Sequence, residues 1–165
     1  YITKMGMTIV TMATPVVQQG DIIGVDNPTE KRVKRWAFGL NELLSDPSGV
    51  HEFEAFLAKE FSSENLKFWL DVESVKKLPE SEVTTKVRAI FAEYIAQGCP
   101  REINIDSKTM EQTIKGMENP TRYTFDAAQN HIYLLMKKDS YSRFIRSDQY
   151  KNLLTNAINS CPKKK

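Results

Sequence analysis

Residues 60–75 read EFSSENLKFWLDVESV, and this stretch indicates the fold class of the whole chain. Ser62 and Ser63 are candidate N-caps, and Glu64 falls in the first turn, where the helix dipole favours a negative charge. The apolar residues that follow lie on more than one side of a helix: Leu66, Phe68, Trp69, Leu70, Val72 and Val75. A helix that is apolar on several sides is buried. We therefore expect this helix to be central to a helical domain.

Upstream of this stretch, apolar residues recur at helical spacing from Val33 onward. A first apolar element stops at Pro47, which disfavours helical geometry at the residue before it, and it contains Val33, Trp36, Phe38, Leu40, Leu43 and Leu44. Spacings of three and four predict one face of a second helix, formed by Phe53, Phe56, Leu57 and Phe61.

Downstream, the same period continues almost to the C-terminus. A clear amphipathic stripe consists of Val83, Val87, Ile90, Phe91 and Tyr94. Asp106 or Ser107 can cap a helix that carries Met110, Ile114 and Met117. A further helix places on one face Phe125, Ala128, Ile132, Leu135 and Met136, and two short helices close the domain around Phe144, Ile145, Tyr150, Leu153, Leu154 and Ile158. With no alternating strand pattern, the sequence predicts an all-α fold, a compact bundle of about nine short helices.

Composition shifts set the expected boundaries. We expect residues 1–31 to be a linker or disordered N-terminal extension, 32–158 the domain, and 159–165 a flexible basic tail. The segment from Met5 to Val17 is the nearest candidate for a signal peptide, but it lacks the usual charged flank and cleavage pattern. No apolar run reaches the roughly 18 to 20 residues of a transmembrane helix. Because Tyr1 is not a start methionine, the chain looks like a fragment of a longer one.

Several function classes are disfavoured by composition. A net charge of +2 gives no strong field, so nucleic acid is not the first partner to expect. Two lone cysteines and two separated histidines, His51 and His131, predict neither a metal centre nor a nucleophilic triad. The phosphate-binding motifs GxxxxGK[ST] and GxGxxG are missing from the sequence. We therefore expect no cofactor and no catalysis by this chain itself, and its basic run from Lys31 to Arg35 is better explained as a solvated helix start.

Three separated segments combine small polar residues at a helix end with heavy apolar packing. They are Glu60–Trp69, Ile103–Ser107 and Leu135–Phe144. Helix ends and loops held by a rigid scaffold commonly form binding sites. If these segments meet on one side of the bundle, they predict a protein-binding surface.

The same three segments resemble the regulator of G-protein signalling (RGS) family. The hallmarks are an aromatic, a Ser and a Glu-Asn pair leading to Phe68-Trp69, then Asn104-x-Asp106-Ser107, and later a Lys-Asp-Ser-Tyr ending at Tyr141. The likeness covers residues 32–158 in order and spacing. The segments 32–38 and 126–133 are most similar to the neuronal subfamily, whose full-length members carry DEP and Gγ-like domains and pair with a divergent Gβ.

This resemblance implies a GTPase-activating protein, not an enzyme, for heterotrimeric G-protein α subunits of the Gi/Go class. A Gα subunit carries its own catalytic Arg and Gln, so the partner need only hold the switch segments in their transition-state conformation. The resemblance places Asn104 against the switch that carries the Gln, and Ser62 near the first switch. Asn65 corresponds to a second contact asparagine, flanked by Glu60 and Glu64. Such a domain terminates signalling in the cytoplasm, recruited to the inner face of the plasma membrane.

In the third segment, Asp139 corresponds to the carboxylate that accepts hydrogen bonds from a switch Thr, with Ser140 and Arg143 in the same patch. Leu135 is expected to give apolar contact at the edge of the site, although its helix position also suits the core. Asp139 can alternatively cap the helix that follows, with Arg143 anchoring it. Two other functions stay open: an RGS-like docking module that does not accelerate hydrolysis, and a helical domain that binds lipid or nucleic acid through its basic tails.

Overall fold

The computed structural model describes residues 26–162, which form α-helices joined by short loops. The helices are α1 (Glu30–Trp36), α2 (Leu40–Leu44), α3 (Pro47–Lys59), α4 (Ser63–Val75), α5 (Glu80–Ile90), α6 (Ser107–Gly116), α7 (Asp126–Lys138), α8 (Ser140–Arg146) and α9 (Asp148–Asn159). A π-helical turn, Phe91–Ile95, continues α5. No strand occurs in the described range, so the predicted all-α class is confirmed.

Helix α4 lies in the middle of the bundle, against α3, α5 and α7. Leu66 and Phe68 are fully buried, and the Phe68 ring packs edge-on against Tyr94 and Phe125, with ring centroids 5.5 and 5.9 Å away. Edge-to-face aromatic pairs add stability beyond the area they bury. The central position predicted for this helix is confirmed, and it fixes the turn that precedes α4 relative to the rest of the bundle.

Helix α1 packs on α9 and joins the two ends of the domain. The Tyr150 hydroxyl donates to the Val33 carbonyl at 2.8 Å, and the Tyr141 hydroxyl donates to the Trp36 carbonyl at 2.7 Å. Both carbonyls belong to α1. The bond to the Val33 carbonyl is buried, and the Trp36 carbonyl lies at the C-terminal end of the helix, where carbonyls lack intrahelical partners. Helix α1 is therefore held to the last two helices, α8 and α9, by side-chain bonds as well as by apolar packing.

Asp46 organises the junction of α1 and α3. Its carboxylate caps α3 by accepting from the Ser48 amide at 3.0 Å, and it also accepts from the Arg32 guanidinium at 2.7 and 3.0 Å and from the Trp36 indole at 3.0 Å. The bond from Arg32 is the main cause that lowers the pKa of Asp46, with further contributions from Trp36 and Ser48. Nearby, Gly49 passes so close to α2 that an added Cβ would lie 2.6 Å from the Leu43 carbonyl oxygen.

Five apolar residues that the helical period assigned to buried faces are exposed: Phe38, Phe61, Ile114, Leu135 and Ile158. Phe38 lies between α1 and α2, because the predicted first element is two helices with a break at Gly39. Phe61 lies beyond the end of α3. Helix α6 instead buries Thr109 and Thr113; their hydroxyls bond to Asp106 and to the Thr109 carbonyl, at 3.0 and 2.8 Å, so their methyl groups can pack.

The ends of the described range leave the boundary predictions untested. Helix α1 begins at Glu30 and α9 ends at Asn159, whereas residues 1–25 and 163–165 lie outside the described residues. The predicted N-terminal linker, the Met5–Val17 segment and most of the basic tail therefore stay predictions. Between residues 26 and 162, no helix is both long and apolar enough to cross a bilayer.

Candidate protein-binding face

The turn between α3 and α4 places an aromatic side chain in solvent. The amide of Ser62 donates to the Leu57 carbonyl at 3.0 Å, and the amide of Phe61 donates to the Ala58 carbonyl at 3.2 Å. This is the Schellman pattern of a helix C-terminus, in which the residue after the cap adopts a left-handed conformation that is usually glycine. Here Phe61 takes that position with φ of 55°, and its side chain is 93% exposed. A bulky aromatic is thus held in a strained conformation without packing inside the domain.

Ser62 stands at the N-cap position of α4 but does not cap the helix with its side chain. Its hydroxyl oxygen is buried and makes no hydrogen bond among the described residues. Unpartnered buried polar atoms are uncommon and destabilising. On the first turn of α4, Glu64 and Asn65 are half-buried. The predicted cap is therefore wrong for the Ser62 side chain, whose hydroxyl remains available for another bond.

Asn104 is presented by a short extended loop between the π-helical turn and α6. Ile103 is buried and its amide donates to the Tyr94 carbonyl at 3.0 Å, while Ile105 packs partly against the core. Because successive side chains of extended backbone point in opposite directions, two inward isoleucines turn Asn104 outward. Its amide is exposed. The loop ends at Asp106, which caps α6 by accepting from the Thr109 amide at 2.8 Å.

The α7–α8 junction carries the third segment. Leu135 and Asp139 are exposed, whereas Ser140 is buried. The Arg143 guanidinium forms a bidentate pair with Glu60, with Nε to Oε1 at 2.9 Å and Nη2 to Oε2 at 2.7 Å, and it also contacts the Asp139 carboxylate. The bond to Glu60, followed by that to Asp139, raises the pKa of Arg143. Arg143 thus anchors Asp139, while the Asp139 side chain does not cap α8.

The three segments meet on one side of the bundle. Glu60 and Arg143 join the first segment to the third. A cleft of about 290 Å³ lies between the first segment and residues 100–102, which directly precede the second, and its walls are Phe61, Ser63, Glu64, Pro100, Arg101 and Glu102. His131, on the helix that leads to the third segment, contacts the second segment, because its Nδ1 lies 3.0 Å from Oδ2 of Asp106. We call the surface formed by residues 60–65, 100–106 and 135–143 the three-segment face.

The residues expected from sequence divide into two groups on this face. Exposed or half-buried side chains that a partner can reach are Glu60, Glu64, Asn65, Asn104, Leu135, Asp139 and Arg143. Ser140 is buried, and the Ser62 oxygen is buried as well. The face combines an amide, carboxylates, a guanidinium and an exposed aromatic. Aromatic and Arg side chains are enriched at protein interfaces. Among residues 26–162, no group of His, Cys, Asp and Glu can hold a metal ion.

Sequence reasoning missed two residues of this region. Phe61 was counted as a core residue because it continued the α3 period, although a following Ser-Ser pair before a new helix was a signal that α3 had ended. The sequence presents His131 only as a lone histidine, more often a surface or cap residue than a metal ligand or a catalytic base. Its contact with Asp106 spans two helices that the sequence pattern does not pair.

The sequence profile of the Regulator of G protein signaling domain matches residues 39–153, and the chain belongs to this family. The chain is 54% identical over 127 residues to Regulator of G-protein signaling 7 of Bos taurus and of Homo sapiens, covering 77% of this chain. It is 48% identical over 134 residues, 81% of this chain, to human Regulator of G-protein signaling 6.

These matches span only about a quarter of each relative, between 26% and 28% of its length. The family predicted from the three motifs is confirmed, and the relatives belong to the subfamily that segments 32–38 and 126–133 resemble. The other three quarters or so of each relative have no counterpart in the matched region, so the comparisons describe this domain alone.

Proposed function

We propose that this domain accelerates GTP hydrolysis by a Gα subunit of the Gi/Go class, acting as a GTPase activator and not as an enzyme. The observation that carries the proposal is the position of Asn104, an exposed amide between two inward isoleucines on the three-segment face. An amide both donates and accepts hydrogen bonds, so it can hold the Gα glutamine that orients the attacking water. The catalytic groups all belong to Gα.

Acceleration requires that the face bind the transition-state conformation of the switches more tightly than the ground state. Each tenfold increase in rate needs about 1.4 kcal/mol of such differential binding. One or two hydrogen bonds made only in that conformation are sufficient, since a bond to a charged group contributes about 1.5–3 kcal/mol. Asp139 can contribute one such bond, and Asn104, on a separate segment, can contribute a neutral one of about 0.5–1.5 kcal/mol.

The other contacts that we expect with Gα follow from how exposed each side chain of the three-segment face is and from its polarity. We expect Phe61 to lose its solvent exposure against the partner. Ser62 is half-buried and its hydroxyl oxygen is enclosed, so a bond to the first switch requires that the hydroxyl rotate outward. Leu135 adds apolar contact at the edge of the face. Glu60 and Arg143 hold Asp139 in position through their bidentate pair. Ser140 is buried, so we expect it to support α8 and to contact the partner little.

The cellular setting is proposed on the family resemblance alone. A Gα partner is held at the membrane, so we propose that the domain acts in the cytoplasm and is recruited to the inner face of the plasma membrane. We also propose that the longer protein, like its subfamily, pairs with a divergent Gβ through sequence outside this domain. Co-purification of the full-length protein with such a Gβ, but not of residues 26–162, tests this second point.

The activating role is tested by single-turnover GTP hydrolysis on a purified Gi-class α subunit. Addition of the wild-type chain should accelerate the reaction, and Asn104→Ala or Asp139→Ala should each weaken the acceleration at least tenfold at limiting concentration. His51→Ala is the matched control, because His51 is exposed on α3 and lies outside the face. Binding without acceleration would instead favour a docking module. Binding lost in moderate salt would favour attachment through exposed charges.

A further inference from the structure

His131 lies in line with two residues of the three-segment face. It precedes Leu135 by four residues and Asp139 by eight, and residues spaced by four lie on the same side of an α-helix. One side of α7 therefore carries His131 and Leu135, and Asp139 follows directly after the C-terminal end of this helix. His131 itself is partly buried, with 28% of its side chain exposed.

The imidazole of His131 reaches the end of the Asn104 loop. Its Nδ1 lies 3.0 Å from Oδ2 of Asp106, a distance typical of a donor and acceptor pair. The same carboxylate caps α6 through the Thr109 amide and accepts from the Thr109 hydroxyl. Those two bonds, and then the proximity of His131, lower the pKa of Asp106. Asp106 is thus ionised and faces α7 as well as its own helix.

The loop has a different attachment on each side of Asn104. On the N-terminal side, the Ile103 amide bonds to the Tyr94 carbonyl, which ties the loop to the π-helical turn. On the C-terminal side, Asp106 ties it to α6 through the cap and to α7 through His131. Among the hydrogen bonds and ion pairs of residues 26–162, the contact with His131 is the one that joins this loop to α7, on which α6 also packs.

We propose that His131 is a positioning residue, which fixes the distance between Asn104 and the Leu135–Asp139 side of α7 by holding Asp106. The effect on hydrolysis rests on the function proposed above, whereas the effect on the loop does not. Both side chains are partly exposed, 28% and 52%, so solvent weakens the interaction. We expect its loss to reduce acceleration by about two- to five-fold, in the range of exposed ion pairs.

Two substitutions separate positioning from packing. His131→Ala removes the nitrogen, whereas His131→Asn keeps a nitrogen donor the same number of bonds from the Cα atom. His51→Ala again removes an exposed histidine that lies outside the face. We expect His131→Ala to show the two- to five-fold loss at limiting concentration, His131→Asn to recover most of it, and all three variants to unfold at nearly the wild-type urea concentration.

A second readout needs no Gα. Backbone amide relaxation by NMR should show greater motion of residues 104–106 in His131→Ala than in wild type, His131→Asn or His51→Ala. If the wild type does not accelerate hydrolysis, the proposed function fails and this readout still decides the loop inference. Unchanged loop motion in His131→Ala would overturn the inference. So would a loss of acceleration in His131→Ala that accompanies general destabilisation and is not recovered by Asn.

Discussion

The pair between Glu60 and Arg143 should stabilise the fold by a measurable amount and hold Asp139 ready for a partner. The two residues are 83 positions apart in sequence and join the α3–α4 turn to α8. Their side chains are 28% and 41% exposed, so solvent screens the interaction. Exposed pairs contribute about 0.2–1 kcal/mol, and a bidentate geometry belongs near the top of that range. The contact of Arg143 with Asp139 adds roughly 0.3–0.5 kcal/mol, as for other pairs four residues apart on a helix.

These magnitudes can be tested by a double-mutant cycle of Glu60→Gln, Arg143→Met and the double variant. Urea unfolding should give losses of about 1 kcal/mol for Glu60→Gln and about 1–1.5 kcal/mol for Arg143→Met, with a coupling energy of about 0.5–1 kcal/mol. If the same free energy holds Asp139 in place, Arg143→Met should also lower the acceleration of GTP hydrolysis by about five-fold.

A coupling energy near zero would refute this reasoning, since the two residues would then stabilise the fold independently. Full stability with a large loss of acceleration would instead mean that Arg143 contacts the partner directly. Lys59→Met is the matched control, because Lys59 is exposed beside Glu60 and its nearest polar contact is Gln149, at 3.4 Å.

Three further predictions test the fold and the strained turn. Asp46→Asn should lower the free energy of unfolding by about 1–3 kcal/mol at pH 7. Because the folded-state pKa of Asp46 is lowered, this contribution is present above the unfolded pKa of about 3.9 and is lost as pH falls through the folded pKa. The free energies of urea unfolding of wild type and variant should therefore converge in acid. Gly49→Ala should destabilise by about 1–3 kcal/mol in thermal unfolding, since its Cβ meets the Leu43 carbonyl, whereas Gly39→Ala, with open space around it, should cost less than about 1 kcal/mol. Phe61→Gly should raise the free energy of unfolding by about 1 kcal/mol by relieving the left-handed strain while weakening binding to Gα; a loss of stability would show that the exposed ring packs within the domain.

Helical period was sufficient to predict the fold class and the central helix. Leu66, Phe68 and Val72 are all buried as their spacing indicates. Period cannot distinguish an apolar residue that packs in the core from one that a domain keeps for a partner, and Phe61 is such a case. It also undervalues threonine, because Thr113 is buried with its hydroxyl satisfied inside the helix.

The sequence was sufficient to identify the motifs of the candidate site, but not to predict how those motifs are arranged in space. The three segments could be recognised one by one, but their convergence depends on contacts such as Glu60 to Arg143, between residues that no local pattern relates. Alternation in Ile103-Asn104-Ile105 explains after the fact why Asn104 points outward. Burial of Ser140 was not predictable either, since a serine beside an exposed aspartate at a helix start is usually solvated.

The central claim is that the three-segment face binds the transition-state conformation of Gα more tightly than its ground states. The most direct test is to measure the affinity of the chain for one Gi-class α subunit in three forms: with GDP, with a non-hydrolysable GTP analogue, and with GDP plus aluminium fluoride, which imitates the phosphoryl group in transfer. The affinity should be highest for the fluoride form, and Asn104→Ala should reduce that preference. Equal affinity for all three forms would contradict the claim, because uniform binding cannot accelerate hydrolysis at saturating concentration.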